Sequence, residues 1–573
     1  MPTFNLDYIP INHEQGERII EALGQIAGSS TQSAEVLDAT FKALLDGANT
    51  SRVFNSWYPR AKALQGENVD RYELLDRFAK MAAEARSDKM YTLRYYHPDV
   101  SGDTAMTPLD DLAEVEQAQV YNDSDQIIGD WTDEDPLGGW YIRANALSLS
   151  DGTMNILAVE GESSFDISGE SAPVYTFALA LWKKEWDDGS YVYKSWATVR
   201  KGDMHPYPGD VAPDGTKRNL TWHPSFGGGL NSNGNLTSGA GIAPYIFASA
   251  SAGLTAARKW NNYEGLWNDC DTIWLLDMWQ LRHWNLENSG ILEGCLNYNL
   301  QYEVAKAETG VKRVIVTTGQ ATNLVVGSSV AVGDYSGGNA DRGQATMRNI
   351  VPIARIASIE EVTIDGGTYA AVNLEVDDTF DVIAGSRVST MPWFSGSTEK
   401  VPGHKDGCVG SKTAGKTPIR VMGVEAIEGA YTVGIEPLYN VTANASDNTK
   451  FDYAIYECRD SVNLSGSVTA NHVLVKTAEK VPSGWHYVKS FFRTALGYLF
   501  PEKIDGDSAH WMKSAFVGAG SAGVRVPWRF MDLYSGGYGG LAGEHGYTAP
   551  GNAIWYSRPR LSGSGKKRGE WAA

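Results

Sequence analysis

At 573 residues, with 42% hydrophobic residues, 61 Gly, 18 Trp and 28 Tyr, the chain has a globular, β-leaning composition suited to roughly three to five domains. A net charge of −20 argues against a nucleic-acid-binding body. No apolar run approaches the roughly 20 residues that a bilayer crossing needs, and the opening MPTFNLDYIPINHEQ has neither a basic n-region nor an apolar h-region, so neither membrane insertion nor a secretory signal is expected.

Residues 1–125 are expected to form a helical region. Ile19, Ile20, Leu23 and Ile26 share one helical face, and Val36, Leu37, Phe41, Leu44 and Leu45 share another, with Gly47 as a C-cap. A third amphipathic stretch over 68–86 aligns Leu74, Leu75, Phe78 and Met81. Such helices either form a domain with their own core or serve oligomerisation and docking. Residues 126–215 are expected to be a β-rich, sandwich-like domain. The runs 146–150 and 155–159 flank an Asp151-Gly152 turn, and 174–186 and 191–199 flank Asp187-Asp188-Gly189. The acidic run at 130–136 lacks the spacing of a calcium loop and is expected to be a solvated linker.

From Thr221 a long Gly/Ser/Asn loop leads into EGLWNDCDTIWLLDMWQLRHWNLENSG. Ile273, Leu276, Trp279 and Leu281 suggest a helix capped by Asn268 or Asp269. Trp267, Trp274, Trp279 and Trp284 recur too densely for a surface helix, which points to core packing rather than carbohydrate stacking. Residues 306–440 are expected to be an inserted β-module, a small closed barrel, with short strands at 313–316, 329–334, 356–364 and 371–376 and a turn at Asp365-Gly366-Gly367. An apolar helix is expected around 491–499. The segments 221–305 and 441–573 would then be two halves of one domain, the whole chain being an α+β multidomain protein.

The four cysteines, Cys270, Cys295, Cys408 and Cys458, form no CxxC pair and are expected to be buried small hydrophobes. The chain lacks a P-loop, HExxH, GxSxG or a GxGxxG following a strand. His404 to Cys408 and the trio Asp505, Asp507 and His510 are the local clusters with ligand-type atoms, and neither has the paired spacing of a metal site. No catalytic residue, metal or cofactor is assigned.

The C-terminal run, VPWRFMDLYSGGYGGLAGEHGYTAPGNAIWYSRPRLSGSGKKRGEWAA from Val526, mixes Gly, Tyr, Ser and Asn with Trp and Arg, the composition of a recognition surface. Its elements Gly536-Gly537, Leu541-Ala542-Gly543, Gly551 to Trp555 and Arg560-Leu561 resemble the variable region of proteins diversified by phage and bacterial retroelements. The resemblance covers roughly the last tenth of the chain closely and the preceding region loosely. It implies a C-type-lectin-type domain whose AAC or AAT codons are rewritten to NNC or NNT, a set that cannot encode Glu, Gln, Lys, Met or Trp. Trp528, Glu544 and Trp555 would then be scaffold. Tyr534, Tyr538, His545, Tyr547, Asn552, Ile554, Tyr556, Ser557 and Arg558 are permitted by that code and would form the ligand-binding face.

The resemblance further implies a phage tail-tip or fibre protein in the virion. Its partners would be a host cell-surface protein or glycan and other tail proteins, and trimeric display would raise avidity by about 10²–10⁴. A structural tail or capsid component, a cell-surface adhesin and a glycan hydrolase are the alternatives. The oxidases that share the lectin-type fold need paired cysteines near the C-terminus, and the last cysteine here is Cys458.

Overall fold

The computed structural model describes residues 34–45, 50–66, 68–121, 140–335, 344–401, 405–492, 499–563, 568–569 and 571. The face drawn from Ile19 to Ile26, Gly47, the acidic run 130–136 and His404 lie outside them.

Three helices open the described chain: Ala34–Lys42, Thr50–Gln65 and Arg71–Ala85. Asp70 caps the third by accepting the Glu73 N–H at 3.1 Å. Leu74, Leu75, Phe78 and Met81 are buried on its inner face, as their spacing demands. Phe54 and Phe78 each lie 5.1 Å from Trp140, at the start of the first long strand. The helices therefore share their core with a sheet and do not stand alone.

Two sheets follow. One has five strands in the order Thr107–Asp110, Tyr91–Tyr96, Tyr191–Ala197, Trp182–Asp187 and His205–Pro206; the other has four, Leu220–Pro224, Val174–Leu179, Tyr141–Ser148 and Met154–Val159. The expected Asp151-Gly152 turn joins the last two, with Gly152 at φ 83°. Two expectations are corrected. Residues 91–96 pair with 191–196 on one side and with 107–110 on the other, so the boundary at 125 is crossed by a sheet. The run 174–186 is two strands in different sheets, because Val174–Leu179 is buried throughout whereas Trp182–Asp187 is half-buried along its length.

The helix Asp269–His283 is the axle of the molecule. Fourteen of its residues are buried, all but Ile273, so it has no solvent face. Asn268 caps it in a reciprocal capping box with Asp271. Trp267, Trp274 and Trp279 are buried in the core. Its charges each reach a different part of the chain. Asp269 binds Arg529, Asp271 binds His223 and Ser562, Asp277 binds Lys183 and Lys194, and Arg282 and His283 bind Asp406. The Lys183 and Lys194 ammonium groups hold the Asp277 carboxyl at about 2 against the upward push of burial.

The β-module has six strands in the order Gln301–Glu303, Arg387–Met391, Ser329–Gly333, Val351–Ile364, Gly367–Leu374 and Arg313–Val316. Asp365 (φ 51°) and Gly366 (φ 76°) form its two-residue hairpin turn. Its aliphatic core, including Val314, Val330, Val351 and Val372, is separate from that of the main body. The sheet is not a closed barrel. Glu308–Val311 turns aside to pair with Phe380–Val382, and the segment between it and the end strand Gln301–Glu303 meets the other end strand through an isolated bridge between Lys306 and Ile315.

The limit at 440 is also corrected. Asp406–Cys408, Ile419–Val421 and Val424–Ala426 form a sheet with Val120–Tyr121, and their side chains lie in the main core. Tyr431–Val433 pairs with the tail strands Trp528–Arg529 and Ser557–Pro559.

The C-terminal region carries a six-stranded sheet, in the order Gly484–Tyr487, Ala515–Gly518, Glu544–His545, Trp528–Arg529, Tyr431–Val433 and Ser557–Pro559. Beside it lies a four-stranded sheet of Val473–Pro482, Lys450–Glu457, Leu438–Ala443 and Gly523–Arg525. Of the apolar helix expected over 491–499, Phe491 instead lies in a short strand paired with Pro501–Lys503, and 493–498 fall outside the described residues. The segment after Thr221 and the tail are interleaved, since Gly265–Leu266 pairs with Leu561–Ser562 and Phe247 donates its N–H to the Ile554 carbonyl. The molecule is thus β-rich and multi-sheet, with few helices. Among the described residues no helix is long and apolar enough to cross a membrane.

Candidate recognition surface

The tail has little regular structure, so side-chain anchors hold its backbone. Arg529 is fully buried and donates to Glu544 at 2.6 Å, to Asp269 and to the Leu499 carbonyl at 2.8 Å. Tyr439 donates its hydroxyl to the other oxygen of Glu544 at 2.6 Å. Burial raises the Glu544 carboxyl to about 7 while Arg529 draws it back. One guanidinium thus ties the strands of 528–529 and 544–545 to the axle helix.

The loop 536–543 is hooked on the segment 288–296. Gly536 donates to the Leu296 carbonyl at 2.7 Å, and Leu541 donates to Asn288 Oδ1 at 2.9 Å. A Cβ at Gly539 would sit 2.3 Å from Leu296 Cδ2, so a larger residue there would have to displace the buried Leu296 side chain.

On this frame Tyr534, Tyr538 and Tyr547 are exposed, at 71%, 39% and 45%. Asn552 is exposed as well, whereas His545, Ile554 and Tyr556 are half-buried. Tyr556 is wedged between Tyr431, 5.5 Å away, and Trp555, 4.8 Å away and edge-on. The His545 ring accepts or donates a 2.8 Å hydrogen bond with Thr548, and burial pushes its imidazole down to about 4. Trp528, Glu544 and Trp555 are all buried.

Two residues assigned to the face are corrected. Ser557 is buried, and its hydroxyl bonds the carbonyls of Ala248 and Ile554. Arg558 is buried too, donating to the Gly228 carbonyl at 2.7 Å and the Trp393 carbonyl at 3.2 Å. Both are structural pins, not surface contacts. Described residues further on are anchored as well. Arg568 is ion-paired with Glu436 and Glu457, and Trp571 packs edge-on against Trp182 at 5.3 Å.

The sequence reasoning missed Trp485 and Tyr487, which the edge strand Gly484–Tyr487 brings to the same face. The Trp485 ring lies 5.0 Å from Tyr538, and Tyr487 stacks on Tyr538 at 4.9 Å. The alternation Trp485-His486-Tyr487 is a strand signal that could have found them.

The other clusters are engaged internally. Asp406 is bound by Arg282 and His283, and Asp507 accepts from the backbone and ring of His510 in an exposed loop. Among the described residues no group of three or more His, Cys, Asp or Glu is placed to hold a metal ion, and the four cysteines are buried and not joined in disulfides. In comparisons with known proteins, no family model matches the chain and no curated protein matches its sequence.

Proposed function

We propose that the chain is a recognition protein that displays a diversifiable C-terminal surface on a C-type-lectin-type domain, as a phage tail-tip or fibre protein attaching to host surface molecules. One observation carries this reading. Along one short stretch, the residues that the NNC/NNT code cannot produce (Trp528, Glu544 and Trp555) are buried, while the permitted Tyr534, Tyr538, Tyr547 and Asn552 are exposed. For these seven residues burial divides in the sense this reading needs, while the permitted Ser557 and Arg558 are buried with the scaffold. Tyrosines held on a pre-ordered frame lose few rotamers on binding and offer both a ring and a hydroxyl.

A structural virion component is the second reading, favoured by the way Ser557, Arg558 and Arg568 pin the chain end into the body. Replacing Tyr534, Tyr538 and Tyr547 together by Ala separates the two. A recognition surface loses cell attachment while its melting curve stays close to that of the parent, since exposed positions each cost within about 0.5 kcal/mol. Trp555→Ala instead lowers stability by about 3 kcal/mol. Normal attachment by the triple variant would leave the structural reading standing.

A further inference from the structure

The aromatic face extends beyond the tail. Trp485 is 45% exposed, and its ring is tilted at 50° to that of Tyr538. Tyr487 backs Tyr538 at 20°, which holds that ring in one orientation. In the other direction Trp485 meets His545 edge-on at 6.3 Å, and His545 meets Tyr547 edge-on at 5.7 Å. One row of rings therefore runs from Tyr487 to Tyr547, with Trp485, Tyr538 and Tyr547 exposed along it.

This stretch of the face is uncharged. Residues 531–557 contain no Lys or Arg, and their two carboxylates, Asp532 and Glu544, are buried. The strand Gly484–Tyr487 adds no carboxylate, Lys or Arg. In a chain that is 21% charged, such a surface selects against charged ligands. The exposed aliphatics Val473 and Leu474 lie on a strand of the other sheet and are not part of the row. At one end the charge of Asp507, whose carboxylate already accepts from Ala509 and His510, reaches Tyr487.

We propose that this row is a stacking platform for a neutral, hydroxyl-bearing saccharide, with Trp485 and Tyr487 as fixed members and the diversifiable positions around them. The proposal rests on the recognition reading and narrows it to one ligand class. The faces of aromatic rings carry partial negative charge, and the C–H bonds of a pyranose ring present partial positive charge to them. A neutral sugar makes that contact without stripping water from an ion. An acidic polysaccharide or a phosphate headgroup finds no cation among these residues to pair with. A protein partner is the alternative that the periodate and protease treatments below separate from a saccharide. Trp485 lies outside the tail and cannot be encoded by a rewritten AAC or AAT codon, so Trp485 and Tyr487 persist while the tail positions of the row change.

The test presents the full chain to arrays of neutral gluco-, manno- and galacto-configured oligosaccharides alongside acidic ones. Binding to a neutral class is expected. Trp485→Ala should weaken it about tenfold, Trp485→Phe should restore most of it, and Tyr538→Ser should weaken it with an unchanged melting curve. Undiminished binding by the folded Trp485→Ala variant, no neutral-sugar binding, or a preference for acidic sugars would overturn the proposal. So would cell attachment that survives periodate oxidation of surface sugars but is lost after protease treatment. That last result would leave the recognition reading intact, whereas normal attachment by the triple-tyrosine variant would remove it.

Discussion

In the module at 301–391, Val351–Ile364 and Gly367–Leu374 pair side by side across a two-residue turn, and aliphatic side chains fill the interior. In the tail, Trp528–Arg529, Glu544–His545 and Ser557–Pro559 are two or three residues long and pair with segments remote in sequence. Between them the backbone is held by Arg529, Arg558 and Ser557, whose partners come from 248, 269, 228 and 393. The module's structure is carried by continuous ladders, one of them closed by a tight turn, and by apolar volume. The tail's is carried by buried polar anchors together with buried Trp528, Phe530, Leu533, Leu541 and Trp555, which leaves its exposed Tyr534, Tyr538, Tyr547 and Asn552 free of structural duty. A surface built the second way tolerates replacement of the free positions and fails abruptly at the anchors.

The sharpest break of that contrast is at Arg529. Truncation to Ala strands Asp269 and Glu544 as buried carboxylates, and should cost about 3–5 kcal/mol in denaturant unfolding. Val330→Ala in the module core should cost less, about 1–3 kcal/mol, because it removes only apolar contact. Equal losses would mean that the anchors matter no more than ordinary packing.

Excising the module tests the other side. Glu303 and Arg387 are ladder partners, so 304–386 can be replaced by an Asn-Gly turn without moving the flanking chain. The remainder should still melt cooperatively. It should lose about 1–3 kcal/mol, because Ala331 packs in the same cluster as Leu533 and Trp555. A melt that loses cooperativity would show that the two regions fold as one unit.

The smallest effect concerns His545. Its imidazole sits at about 4 in the folded chain and near ~6.5 when unfolded, so on acidification the unfolded state takes the proton first. The contribution is nil above about 6.5, and stability falls as pH drops from there toward about 4. Because one proton is involved, the loss cannot exceed ~1.4 kcal/mol per pH unit. In His545→Asn, a change the NNC/NNT code permits, the drop in Tm between pH 7 and pH 5 should shrink by about one to two degrees. An unchanged drop would place the acid sensitivity elsewhere.

Features governed by neighbouring residues were legible in the chain itself. The turns at Asp151-Gly152 and Asp365-Gly366, the cap at Asn268 and the buried face of 71–85 follow from backbone preferences and periodicity acting over a few residues. The burial of the dense tryptophans also follows, since so much apolar area has no stable place in water. Tertiary structure alone decided the rest. It set the switch of sheets after Leu179, the transfer of 406–440 from the module to the main body, and the open edge that keeps the module from closing. It also decided which permitted residues face solvent. A codon code says what a position can become, not whether carbonyls from Ala248, Gly228 and Trp393 converge on it. Ser557 and Arg558 are buried because those distant acceptors satisfy them, and Trp485 reaches the aromatic row because an edge strand carries it there. Both outcomes depend on contacts between residues far apart in the chain, which local spacing does not encode.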